Sequence, residues 1–263
     1  MNLKKIKKEW IFFKSLKLVK FNANTIGKII LFDLMFFVSF FVLRRLFDYF
    51  SKNLFFPNQL SSAMVLIVMS LVYYLVILLL YSFFKYNVLA FIRSLFEKTQ
   101  ISFNRFGQFY ILNLVIAVIF FAIMYFLGFI LSSVKQNYAP FVFVLLAIPY
   151  SLFLYVVINL SHSLFYQDNS LKESLRRGFS WSFSKIKAYR ETILVMIIAA
   201  LVLFLLFFVA GYLIRLLTAK NYSLYLTAYS YFKQISIIVL DIFIYLLILI
   251  NRISFYYITK DTK

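Results

Sequence analysis

The sequence predicts an all-α, polytopic integral membrane protein with six transmembrane helices. Its composition is 64 % hydrophobic with a mean hydropathy of +0.90, whereas soluble globular domains contain roughly 45–50 % apolar residues. Six apolar blocks approach the length of about 20 residues that a helix needs to cross the hydrocarbon core. Lysine and arginine are concentrated in alternate connections between these blocks.

The predicted spans follow the apolar blocks in order. The second to fifth are built on blocks without Asp, Glu, Lys or Arg, and the first and sixth are interrupted by Asp33 and Asp241. The expected spans are about 26–47, 63–84, 107–132, 139–164, 191–215 and 234–257. Period-2 alternation is absent, and the blocks exceed the roughly 9–11 residues of a transmembrane strand, so helices are expected.

The positions of the cations predict the orientation. Twenty-one of the 28 Lys and Arg residues lie on the side of the two termini. The other side carries seven, which are Arg44, Arg45, Lys52, Lys135, Arg215, Lys220 and Lys233. Because retained cations mark the cytoplasmic side, we expect a multi-pass protein of the cytoplasmic membrane with both termini inside.

Three basic segments on the inner side have amphipathic patterns. Ser170 and Glu173 have capping-box spacing and predict the start of a helix. The apolar positions that follow at helical spacing are Leu171, Leu175, Phe179, Phe183 and Ile186. Similar but shorter stripes consist of Leu3, Ile6, Trp10 and Phe13 near the N-terminus, and of Leu89, Ile92 and Phe96 beside Arg93. The sequence therefore predicts three helical hairpins, each preceded by a basic interfacial helix.

This order of elements predicts a repeat. A surface segment followed by two spans recurs about every 80 residues, over approximate units 1–84, 85–166 and 167–259. We expect the three units to form a single membrane domain, residues 1–263.

The basic segment after the fourth span carries a resemblance. It reads Glu173-Ser174-Leu175-Arg176-Arg177-Gly178-Phe179-Ser180-Trp181. In this position it resembles a broad group of six-span prokaryotic membrane proteins, which includes the membrane domain preceding some glycerophosphodiester phosphodiesterases. The likeness covers the architecture of most of the chain and implies a six-span membrane domain. The sequence contains no soluble phosphodiesterase domain, so the resemblance implies no catalytic activity.

The same segment is similar to the coupling loop of importer permeases, whose motif is Glu-Ala-Ala, three residues, Gly, then Ile-x-Leu-Pro. Here Gly178 comes one residue early after Glu173, and no Leu-Pro follows Ile186. A surface helix is therefore favoured over a docking site for an ATPase.

Residue types exclude several enzyme sites. The sequence has no cysteine, and His162 is its only histidine, so thiolate sites, a cysteine nucleophile and multi-histidine metal sites are excluded. Asp33 and Asp241 lack the Tyr-Asp and Gly-x-Gly-Asp contexts of intramembrane aspartyl proteases. We expect a non-enzymatic protein with no cofactor and no metal.

Polar side chains within the spans require partners. Inserting a charged side chain at the centre of a transmembrane helix costs roughly 2.5–3.5 kcal/mol on insertion scales. These candidates are Asp33, Asn113, Asn159, His162 and Asp241. By depth, the possible partners of Asp33 are Lys28, His162, Asn159 and Arg252, and those of Asp241 are Arg215 and Lys233. Interhelical contacts are the favoured interpretation, and a proton or cation relay is the alternative.

The cation excess predicts anionic lipid headgroups as partners. Nucleic-acid-binding proteins are basic and hydrophilic, whereas long uncharged blocks separate the cations of this chain. The candidate lipid-binding residues are Lys4, Lys5, Lys7, Lys8, Arg93, Arg176, Arg177, Lys185 and Lys187. The expected role is support of membrane organisation or of a membrane complex, with a second copy or another membrane protein left open as partner. The alternative is a transporter or permease subunit with a proton- or cation-linked site near Asp33 or Asp241.

Overall fold

A computed structural model describes residues 10–54, 60–97 and 102–260, and the regular structure in these ranges is entirely α-helical. The helices are α1 (Ile11–Phe21), α2 (Ala23–Leu54), α3 (Leu60–Ser94), α4 (Phe106–Ser132), α5 (Ala139–Tyr166), α6 (Leu171–Ser184), α7 (Ile186–Leu217) and α8 (Tyr222–Lys260). Six of them, α2 to α5 with α7 and α8, are long and apolar enough to cross a membrane. The predicted all-α, six-span architecture is confirmed.

The long helices extend beyond the predicted spans. Helix α8 has 39 residues, which at 1.5 Å per residue is about 58 Å, whereas the hydrocarbon core is about 30 Å thick. Hydropathy defines only the apolar part of a helix, because backbone hydrogen bonds continue through polar residues at either end.

The expected surface helix before the second hairpin is not a separate element. Helix α3 continues to Ser94, and the stripe residues Leu89 and Ile92 are buried within it. This end of α3 packs on the neighbouring spans: the Tyr86 ring lies 5.5 Å from that of Phe109 in α4 and 5.0 Å from that of Tyr166 in α5. The stripe is therefore used for packing between spans.

The chain divides into two compact units. Unit 1 comprises Met1–Phe21 and Ser184–Lys263, and unit 2 comprises Asn22–Phe183. Within unit 1, α1 packs on α7 and α8. Phe12 forms a buried cluster with Leu247 and Ile250. The N-terminal surface helix thus packs on the third hairpin.

Unit 2 contains the first two hairpins and α6. Aromatic pairs join α2 to α3, among them Phe47 and Tyr73, which stack at 4.2 Å. In the second hairpin the Tyr150 hydroxyl donates to the Phe120 carbonyl at 3.2 Å. The three-unit repeat stays a prediction, since packing does not test internal symmetry.

Candidate functional site

Helix α6 contacts unit 2 through its smallest residues. Ser174, Gly178 and Ser182 are its buried positions and lie four residues apart. A Cβ built on Gly178 would lie 3.1 Å from Ser161 Cβ and 3.2 Å from Ser161 Cα in α5, closer than most side-chain contacts. The absence of a side chain at Gly178 therefore permits the close approach of α6 to α5.

The start of α6 has half of the predicted capping box. The Glu173 amide donates to Ser170 Oγ at 3.3 Å. The Glu173 carboxylate instead pairs with Arg177, four residues on, at 2.6 Å. Because this ion pair offsets the charge of Arg177, the net positive charge of α6 rests on other residues.

The exposed face of α6 includes Lys172, Arg176 and Phe183. All three side chains are exposed, Phe183 by 69 %, and they lie about 120–160° around the helix axis from Gly178 at 100° per residue. Phe183 also borders the Phe153 ring of α5 at 5.3 Å. This helix therefore combines a face of small residues against the protein with an exposed face of two cations and a phenylalanine.

The remaining predicted lipid contacts are distributed unevenly. Lys187 is exposed at the start of α7, and Lys185 is half-buried at the N-cap of that helix; both belong to unit 1. The predicted contacts of the N-terminal segment, Lys4, Lys5, Lys7 and Lys8, lie outside the described residues.

Arg93 forms internal contacts. Its guanidinium group donates to the Tyr166 carbonyl at 2.9 Å and pairs with Asp168 at 3.0 Å. A longer pair, at 3.4 Å, joins it to Glu97. Its side chain is 22 % exposed, and the lipid contact predicted for Arg93 stays a prediction.

A second arginine, Arg105, completes the same arrangement at the end of α5. It donates to the Phe165 carbonyl at 3.3 Å and to the Asn169 carbonyl, and it pairs with Asp168 at 3.4 Å. Asp168 has φ 69°, the left-handed conformation that commonly ends a helix. Arg93 in the last turn of α3 and Arg105 at the N-cap of α4 thus bind carbonyls at and just beyond the C-terminus of α5, where a helix leaves carbonyls without i+4 donors. The sequence carries no signal for this role of Arg105, because carbonyl acceptors have no residue-type signature.

A buried polar network joins three spans of unit 2. Asn113 in α4 donates to Ser82 Oγ in α3 at 3.0 Å, and its Oδ1 lies 2.7 Å from His162 Nε2 in α5. An amide oxygen can only accept, so Nε2 carries the ring proton in this arrangement. The three side chains are at most 4 % exposed. This network makes Asn113 and His162 direct interhelical partners.

The other intramembrane candidates are Asp33, Asn159 and Asp241. Asp33 is buried in α2 with 9 % exposure, and Asn159 donates to the Tyr155 carbonyl of its own helix at 2.8 Å. Asp241 is exposed on α8. Within the described part of the chain, it forms no ion pair with either predicted partner, Arg215 or Lys233.

In residues 10–54, 60–97 and 102–260, no three His, Asp or Glu side chains lie close enough to hold a metal ion. The absence of a metal or cofactor stays a prediction. Comparisons of the chain with protein families, with curated proteins and with solved structures found no match. The resemblance to the six-span prokaryotic group likewise stays a prediction.

Proposed function

We propose that this multi-pass membrane protein is non-enzymatic, that it binds anionic lipid headgroups on the cytoplasmic leaflet, and that it supports membrane organisation or a membrane complex. One observation carries the proposal. Gly178 permits α6 to lie close against α5, while Lys172, Arg176 and Phe183 lie on the exposed face of α6.

The chemistry of this face suits a charged membrane surface. A Lys or Arg near an anionic leaflet contributes about 1 kcal/mol, and the attraction falls off within a Debye length of about 8–10 Å. Helix α6 directly follows one span and precedes another, so its cations lie within that distance of the headgroups. The Phe183 ring adds apolar area at the same level.

The test compares lipid preference in reconstituted protein. Lys172→Ala with Arg176→Ala should lower the preference for phosphatidylglycerol over phosphatidylcholine by several-fold, given about 1 kcal/mol per cation. Mass spectrometry of lipids retained by the purified protein measures this ratio. Arg44→Ala with Lys52→Ala is the matched control, because both cations are exposed near the opposite end of α2 in the same unit.

An unchanged ratio in the Lys172 and Arg176 variant would remove the support for the proposal. An equal fall in the Arg44 and Lys52 control would mean that net charge, rather than α6, sets the preference.

Transport is a second candidate, favoured by the burial of Asp33 in an apolar span. A buried carboxyl within a span is a frequent component of proton pathways. Asp33→Asn should then abolish proton flux into vesicles that contain the protein, as read by a pH-sensitive dye, whereas Asp241→Asn at an exposed position should have the smaller effect. Equal flux in the wild type, the Asp33 variant and protein-free vesicles would exclude this candidate.

A further inference from the structure

Helix α1 contacts unit 1 in the way that α6 contacts unit 2. Phe12 and Ser15 are its buried residues, and Val19 packs on the same cluster. The buried Ser15 hydroxyl lies 2.9 Å from the Ser254 hydroxyl of α8. One face of α1, which includes a small residue, is therefore fixed against the inner end of a span.

The opposite side of α1 resembles the exposed face of α6. Phe13 is 48 % exposed, and the side chains of Lys17 and Lys20 are exposed. These three residues, the exposed face of α1, lie about 80–160° around the axis from Phe12 and Ser15 at 100° per residue. Trp10, 46 % exposed, precedes the first turn, and its ring centroid lies 6.2 Å from that of Phe13, with the ring planes tilted by 43°.

The two helices lie on the same side of the membrane. Helix α1 precedes the first span and α6 follows the fourth, and four crossings return the chain to the side on which it started. This holds for either orientation of the protein in the membrane. Each compact unit carries one basic helix with exposed aromatic residues.

We infer that the exposed face of α1 is a second binding surface for anionic phospholipid headgroups, independent of α6 and of the segment before Trp10. The inference extends the proposed function to unit 1. Two ammonium groups supply the charge complementarity, and the neighbouring Phe13 and Trp10 supply aromatic area that favours the interface of a bilayer over water. Both features together select a lipid surface rather than a soluble anion.

The protein contains two tryptophans, and each lies at one of the two helices, so its own fluorescence reports both surfaces separately. Trp181→Phe leaves Trp10 beside α1, and Trp10→Phe leaves Trp181 within α6. Each variant is reconstituted in mixed phosphatidylcholine and phosphatidylglycerol, with bromine carried by one lipid or the other. Brominated acyl chains quench tryptophan on contact, so the quenching ratio gives the lipid preference near each helix.

In the Trp181→Phe protein, we expect brominated phosphatidylglycerol to quench Trp10 more than brominated phosphatidylcholine at equal mole fraction. Adding Lys17→Ala and Lys20→Ala should bring the ratio to one, and raising the salt concentration should have the same effect. Lys220→Ala with Lys233→Ala is the control, since it removes the same charge from exposed positions at the other end of unit 1.

Equal quenching of Trp10 by the two lipids, or a preference that survives loss of Lys17 and Lys20, would overturn the inference. Soluble glycerol phosphate that abolished the preference would also overturn it, because the surface would then recognise a free anion. The Trp10→Phe protein, with Lys172→Ala and Arg176→Ala, tests α6 in the same assay. A lipid preference at Trp181 alone would support the proposed function at α6 and contradict this inference. A lipid preference at Trp10 alone would support the inference at α1 and contradict the proposed function at α6.

Discussion

The side-chain amide of Asn113 joins three spans and should be the most sensitive polar position in unit 2. Asn113→Ala removes one hydrogen-bond partner from Ser82 in α3 and one from His162 in α5. Interhelical hydrogen bonds in membranes average about 0.6 kcal/mol and reach about 1.7, so we expect a loss of about 1–2 kcal/mol. Unfolding of the purified protein by denaturing detergent measures this change.

Asn159→Ala is the matched control. Its amide is also buried but donates to Tyr155 of its own helix, so its loss should cost clearly less. An equal cost at the two positions would mean that the Asn113 network contributes no stability beyond a single local hydrogen bond.

Gly178 makes a steric prediction. Gly178→Ala places a methyl group against Ser161 of α5, and overpacking of this kind costs about 1–3 kcal/mol. Thermal unfolding in detergent should show a lower Tm. Ser161→Gly should rescue part of the loss, because it removes the Ser161 Cβ and hydroxyl and leaves the backbone Cα 3.2 Å from the new methyl group.

The control for Gly178 is Gly128→Ala in α4. A Cβ there would meet no atom within 4 Å, and alanine favours a helix over glycine by about 1 kcal/mol. This variant should be neutral or stabilised. Destabilisation by both substitutions would refute the role of the α5 contact.

The sequence predicts which positions in the spans are polar better than it predicts the contacts that these residues form. The sequence marks Asn113 and His162 as polar positions in apolar spans, but it does not pair them, since hydrogen-bond partners depend on which helices become neighbours. Arg93 was assigned to lipid from its charge and from a nearby apolar stripe. The structure uses that charge on carbonyl and carboxylate oxygens of the α5 end, contacts that no spacing rule encodes.

Among the elements, the C-terminus of α5 depends on an arginine from another helix. Arg105→Ala removes donors from the carbonyls of Phe165 and Asn169 and an ion pair from Asp168. Arg105 is 30 % exposed and Asp168 is 64 % exposed, so the ion pair itself contributes little. The Phe165 carbonyl would keep only the Asp168 amide as a donor, and the Asn169 carbonyl would lose its arginine donor. The end of α5 should therefore still open, with amide hydrogen exchange near Gln167 about tenfold faster.

Arg176→Ala, which removes the same charge from an exposed position of α6, should leave exchange at Gln167 unchanged. Unaltered exchange in the Arg105 variant would show that the cap is dispensable.

The elements follow the sequence closely where hydropathy or capping defines them. Six apolar blocks become six long helices, and Ser170 caps α6 as its spacing predicts. The residues before the second hairpin differ, because an apolar stripe beside a cation has the same pattern whether it faces lipid or a neighbouring span. In α3 the stripe residues Leu89 and Ile92 are buried.

At the scale of the whole molecule, the order of the helices in the sequence does not determine which helices pack together. Ser15 bonds to Ser254, 239 positions away, so the N-terminal helix belongs to the unit of the last hairpin rather than to that of the hairpin it precedes. Hydropathy and charge periods are local in the chain and do not select among hairpins as packing partners. The number of spans was therefore predictable, and the grouping of helices into two units was not.

Orientation is the remaining whole-molecule property, and the charge distribution predicts it. Twenty-one of the 28 cations lie on the side of the termini, a bias that predicts this side to be cytoplasmic. A reporter enzyme active only outside the cytoplasm should therefore be active when fused at Gln136, between α4 and α5, and inactive at Asn169, before α6. The reverse pattern would place α1 and α6 at the outer leaflet. Their exposed faces would still share one side, but the cytoplasmic leaflet would no longer be the surface they bind.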